Sequence, residues 1–144
     1  MPKTNYVPTL WGGAGWKFLH IVALSYPSEP TPVDKDNYKN FFLSMKSVLP
    51  CESCSENFKK HAEKFPIDNY LESPETLFDW IIKINNEVNK ITNKSQIDAK
   101  TMKKKYDSGN VAPSNKMFYL YGLIGILSLV GVIYLMRKNK IKLI

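Results

Sequence analysis

The only two cysteines of the 144-residue chain are Cys51 and Cys54, in the run "PCESC" at 50–54. A C-x-x-C pair can hold a metal, staple a loop or move electrons. A closed structural zinc site needs four ligands, and beyond the cysteines the chain offers only His20 and His61, at a spacing foreign to zinc fingers. A structural disulfide here closes a very short loop, to which chain-entropy reasoning assigns a small stabilisation, and cytosolic thiols are kept reduced. Redox chemistry has local support. Pro50 ends one helix, so the pair falls in the first turn of the next, where free backbone N–H groups and the positive helix end lower a thiol pKa. The resulting thiolate is the form that attacks disulfides and flavins.

The elements that must position this pair are helices. The stretch "GAGWKFLHIVALSY", from Gly13 to Tyr26, stops at Pro27 and puts Trp16 and His20 four apart on one face. After the proline-rich "PSEPTPVD", Asp34 can cap a second helix with Tyr38, Phe41, Phe42, Met45, Val48 and Leu49 as its core stripe. A third runs from about Cys51 through Phe58, Ala62 and Phe65 to Pro66. "SPET" at 73–76 opens a fourth, with Leu77, Trp80, Ile81, Ile84, Val88 and Ile91 on one side. Asn85 and Asn89 share another face of it, and asparagine's poor helix propensity there implies a hydrogen-bonding task or a plain polar face. A short basic helix, about Gln96 to Tyr106, completes an all-α, four-helix bundle plus a short fifth helix. No strand pattern, repeat or G-x-G-x-x-G loop is present. A thioredoxin fold needs strands, so a helical bundle must bring its own electron acceptor.

Residues 117–136, "MFYLYGLIGILSLVGVIYLM", carry no charge, and 20 helical residues reach about the 30 Å of a bilayer core. They are expected to form a single C-terminal transmembrane helix with Tyr119, Tyr121 and Tyr134 near its ends. The expected organisation is a tail at 1–10, the bundle at 11–109, a linker at 110–116, the span at 117–136 and a basic tail at 137–144. The net charge of +7 belongs largely to that tail. Before Met117 there are 16 basic and 13 acidic residues, and 19 of all 20 basic residues are lysine. Forked guanidinium readers of bases and phosphates are thus nearly absent, and nucleic acid is not an expected partner. "MPKTNYVPTL" lacks the apolar core of a secretory signal, so the soluble part is expected to face the cytosol.

Taken together and in this order, "WGGAGWKFLH", "PCESC" and "NNEVN" resemble the Erv/ALR family of FAD-linked sulfhydryl oxidases. The resemblance runs from about Trp11 to Gly109. It implies a helical bundle that holds FAD beside the C-x-x-C disulfide, with Gly12, Trp16, His20, Tyr26, Cys54, Asn85, Asn86, Val88, Asn89, Lys94 and Tyr106 as cofactor-binding residues. Asn85 stands where the family's H-N-x-V-N string has histidine, and Tyr106 where a tryptophan commonly covers the adenine. Ala99 stands where many relatives begin a second, structural disulfide, and a distal shuttle pair is missing. That reduced set is similar to short viral members, which implies a virion or host internal membrane.

The resemblance also assigns roles to Cys51 and Cys54. A thiol-containing protein, or a thioredoxin-like carrier, attacks Cys51, and a second thiol resolves the mixed disulfide. Cys54, nearer the flavin, passes the electrons on, with molecular oxygen as final acceptor and hydrogen peroxide as product. Homodimers are implied through the first two helices. The competing reading from the residues themselves is a membrane-tethered helical adaptor whose cysteines are structural or bind metal.

Overall fold

A computed structural model describes residues 4–110, then Tyr121, 124–131 and 134–137. Two compact units follow one another along the chain, Met1–Asp107 and Ser108–Ile144. Among the described residues there is no strand, and the first unit is the all-α bundle expected. Its elements are α1 (Pro8–Leu24), α2 (Pro32–Val48), α3 (Glu52–Lys64), a 3-10 turn (Ile67–Tyr70), α4 (Pro74–Ile91) and α5 (Ala99–Asn110).

Three helices start on a proline that pre-sets the first helical residue and wastes no N–H donor. Pro8 opens α1 five residues before the expected Gly13, and Pro32 opens α2 before Asp34. Asp34 is therefore not the cap. Thr31 is, and Asp34 sits at the third helical position, where each residue's side chain bonds the other's backbone N–H. Ser73 and Thr76 repeat the device at α4, behind Pro74.

The core centres on Trp80, fully buried on α4. Phe42 of α2 and Phe58 of α3 meet its ring edge-on, at 5.5 Å and 6.2 Å between centroids, the geometry aromatic quadrupoles prefer. Its indole N–H donates to the Phe65 carbonyl at 2.7 Å, which satisfies its one polar atom. Tyr26 is likewise buried and donates to the Leu71 carbonyl at 2.9 Å, with its ring against Tyr38.

Helix α4 ends on a left-handed residue, Asn93, with φ 53°. The Lys94 N–H reaches the Asn89 carbonyl at 2.8 Å, and the Asn93 N–H the Lys90 carbonyl at 3.4 Å, a Schellman turn. It folds the chain back along α4. Asn86 pairs there with the backbone of Ile97 through both its amide oxygen (2.7 Å) and its amide nitrogen (2.9 Å), and Asn89 donates to the Ser95 carbonyl at 3.0 Å. Asp98 then caps α5, which starts at Ala99 rather than Gln96, by accepting from the Thr101 N–H.

Of the expected span at 117–136, residues 117–120, 122–123 and 132–133 lie outside the described residues. Among the described residues no helix is long and apolar enough to cross a membrane. Residues 124–131 are helical, with Ile124, Ile126, Leu127, Leu129 and Val130 exposed.

Candidate functional site

Cys51 and Cys54 are joined as a disulfide, their Cα atoms 5.1 Å apart. Neither sulfur is a thiolate ligand in this form. Cys51 is the N-cap of α3, in extended conformation, and its sulfur accepts the Cys54 N–H at 3.2 Å and lies 3.3 Å from the Ser53 hydroxyl. Cys54 occupies the first turn, as the sequence led us to expect. A thiolate formed there meets the positive end of the helix.

The two sulfurs open onto different spaces. Cys54 lines a cavity of about 330 Å³ among α1, α2, α3 and α4, walled by Trp11, Trp16, Leu19, Met45, Phe58 and Val88. Gly12 and Gly15 line it from α1, and a Cβ at Gly15 would come within 3.3 Å of the Trp11 ring. Cys51 is only 7% exposed and lies instead in a shallow cleft with residues 5–8, Glu52, Ser53 and Glu56.

Behind Trp16 lies a buried polar cluster. His20 is 2% exposed, with its ring 6.1 Å from that of Trp16, 5.8 Å from Phe78 and 6.0 Å from Tyr106. Its Nδ1 shares a hydrogen bond of 3.0 Å with the Tyr106 hydroxyl, while its buried Nε2 has no partner. Burial pushes the His20 pKa down to about 4, against a smaller upward pull from side-chain hydrogen bonding with the buried Asn85. The imidazole is therefore neutral at physiological pH.

The residues singled out from the sequence divide accordingly. Gly12, Trp16, Cys54 and Val88 line the cavity, and His20, Asn85 and Tyr106 form the polar cluster. Asn86 and Asn89 have the hydrogen-bonding task expected of them, but toward residues 95–97 of the same chain, so they position α5. Tyr26 does not line the cavity, and Lys94 is exposed beside the Schellman turn. Sequence reading missed Trp11, Phe58 and Ile91 as cavity walls, since an apolar side chain at helical spacing reads as core. It also missed His61, whose Nε2 is buried without a partner and whose pKa burial lowers.

An apolar, aromatic-walled slot lined by one cysteine of a disulfide, with a buried imidazole packed against its Trp16 wall, suits a planar aromatic cofactor. Residues 13–107 match the Erv1 / Alr family. The chain belongs to that family. Among its relatives, the probable FAD-linked sulfhydryl oxidase of Acanthamoeba polyphaga mimivirus is 46% identical over 91 residues, covering 62% of this chain and 64% of that protein. FAD-linked sulfhydryl oxidase ERV2 of Saccharomyces cerevisiae is 32% identical over 98 residues, covering 68% of this chain and 49% of that one. The crystal structure of the FAD binding domain of Erv1 from Saccharomyces cerevisiae superposes with a TM-score of 0.64 at 32% identity, covering 69% of this chain and 93% of that one. The all-helical bundle is thus the Erv fold, and this Erv1/Alr chain spans about half to two thirds of the length of the two named oxidases.

Proposed function

We propose that the chain is a FAD-linked thiol oxidase that makes disulfide bonds in other proteins. The observation that carries this reading is one disulfide with a sulfur on each of two spaces, Cys54 in an aromatic cavity and Cys51 in an outward cleft. A substrate thiolate attacks Cys51, the Cys51–Cys54 bond breaks, and Cys54 leaves as a thiolate in the first turn of α3, where the helix dipole offsets its charge. A second substrate thiol attacks the mixed disulfide and releases the substrate as a disulfide. Two electrons then rest on Cys51 and Cys54. FAD bound in the cavity would accept that electron pair beside Cys54 and deliver it to molecular oxygen, with hydrogen peroxide as product.

For this, Trp16, Val88 and Gly12 form the slot for the ring system, and neutral His20 backs Trp16 with its ring 6.1 Å away. Tyr106 holds His20 through Nδ1, and Asn85, Asn86 and Asn89 position that cluster from behind. Lys94, exposed where the chain turns back, is free to meet a phosphate. Purified full-length protein should be yellow with a flavin absorbance spectrum, and should consume oxygen when given a dithiol. A colourless protein that holds zinc would favour the adaptor reading instead.

The remaining assignments share this footing. A homodimer through α1 and α2 is supported by Leu10, Phe18 and Ile21, all exposed on α1, and sedimentation before and after Phe18→Glu tests it. A C-terminal membrane anchor with the bundle on the cytosolic side, in a virion or internal membrane, is supported by the uncharged run at 117–136. Carbonate extraction and protease protection of the two ends test both parts. The physiological substrate is a thiol protein or a thioredoxin-like carrier, since the only cysteines of the chain are its redox pair.

A further inference from the structure

Residues 5–7 cross the entrance to Cys51 as an extended strap. The Tyr6 N–H donates to the Pro50 carbonyl at 2.7 Å, and the Asn5 side-chain oxygen accepts the Glu52 N–H at 2.9 Å. One of these main-chain groups stands immediately before Cys51 and the other immediately after it. An extended segment that carries a cysteine toward Cys51 must run past the same two groups, which the strap already engages. The strap's own hold is slight: Tyr6 and Val7 are 53% and 64% exposed, and the further bond, from the Trp11 indole to the Tyr6 carbonyl, is long at 3.4 Å. Cys51 is nonetheless the more buried sulfur-bearing residue of the pair. Among the described residues the cleft that leads to it is lined by Glu52 and Glu56 and by no cation.

We propose that residues 5–7 are a displaceable strap that holds the place of the substrate, and that the partner is an extended cysteine-bearing segment with a positive residue beside its cysteine. Rested on the thiol-oxidase reading, this deepens it by naming how substrate reaches Cys51. Displacement frees the Pro50 carbonyl and the Glu52 N–H, and the incoming main chain takes them in the manner of an added strand. The partner's thiolate then attacks the Cys51 sulfur, and Cys54 leaves carrying the electron pair of the broken bond. A second partner thiol restores Cys51 as a thiol, so the partner loses two electrons and two protons to the Cys51–Cys54 pair.

The test needs neither flavin nor oxygen. In full-length protein reduced beforehand, Tyr6→Pro removes the N–H donor, and alkylation of Cys51 should run about fivefold faster, the factor an ordinary hydrogen bond represents. Asn5→Ala should act in the same direction should the proline variant not fold. Cys54 alkylation, on the far side of the bond, should hardly change. Oxidised wild-type protein should be reduced several-fold faster by a Lys-Cys-Lys peptide than by Glu-Cys-Glu, each rate divided by its rate against cystine, and added salt should shrink the gap. Unchanged Cys51 alkylation in both folded variants, or equal peptide rates, overturns the proposal. Expected strap results in a protein that consumes no oxygen with any thiol would sink the oxidase reading alone.

Discussion

The two sides of the Cys51–Cys54 disulfide are built from different materials. On the Cys54 side the walls are side chains of all four long helices, continuous with the core through Leu19 and Phe58. On the Cys51 side the wall is an extended strap tied to the main chain on either side of Cys51 by two hydrogen bonds, facing Glu52 and Glu56 near the start of α3. A close-packed wall keeps one shape, whereas hydrogen bonds to main chain can be handed to another peptide. One covalent bond therefore joins a rigid slot for a fixed group to an exchangeable berth for a changing one.

The strongest way to break this contrast is Cys54→Ala. Oxygen uptake with a dithiol should fall to the blank while the protein stays folded and yellow, because the slot keeps its walls but loses the sulfur that reaches into it. Continued turnover would show that the two sides are not in series. Acid should act next, through the slot. His20 has its pKa lowered to about 4 from an ordinary 6.5, so protons favour the unfolded chain. The sign is fixed by that direction: stability is unaffected above about pH 6.5, falls as pH drops from there toward 4, and levels below. The loss attributable to His20 is at most about 3 kcal/mol, less whatever solvent screens, and His61 adds to it in the same direction. Urea midpoints of the flavin-free protein across that range should show the slope, and His20→Gln should flatten it.

Asn86→Ala removes both bonds to Ile97 and leaves two main-chain groups short of partners, a loss of about 2 kcal/mol by urea titration. Flavin affinity should drop with it, since His20 then loses a well-placed Tyr106, while the strap is untouched. The smallest effect belongs to an ion pair with exposed lysines. Glu87 is held well below the usual carboxylate range by hydrogen bonds from Lys90 (2.6 Å) and Lys64 (2.9 Å). Both lysines are more than half exposed, so Glu87→Gln should cost under about 1 kcal/mol and leave oxidase activity alone.

What could be read in advance follows what the sequence encodes locally. The four long helices were legible because three- and four-residue apolar spacing, and prolines at first helical positions, act within a single element. The redox pair was legible from its spacing and the proline before it. Less was visible where a residue's partner comes from elsewhere. Asp34 looked like a cap because Thr31 two positions before Val33 was not weighed with Pro32. Asn86 and Asn89 announced a hydrogen-bonding task, yet its recipient, residues 95–97, depends on a left-handed turn at Asn93 that helix periodicity does not signal. Tyr26 shares a buried site with Leu71, 45 residues away, and no local pattern separates that from a ligand contact. The strap lay hidden for the same reason, since "NYV" carries no sign that its backbone meets Pro50.

The Schellman turn at Asn93 has a dynamic consequence. Beyond it, α5 rests on the bundle through Ala99, Met102 and Tyr106, all partly buried, and on the amides of Asn86. Local opening free energies scale with buried apolar contact, so this segment forms the least protected cooperative unit that still touches the polar cluster. Its amide protons should exchange with deuterium well before those of α4, and they should slow when the slot is filled. Since Tyr106 bonds His20 directly, each such opening also gives up the hydrogen bond at the histidine's Nδ1.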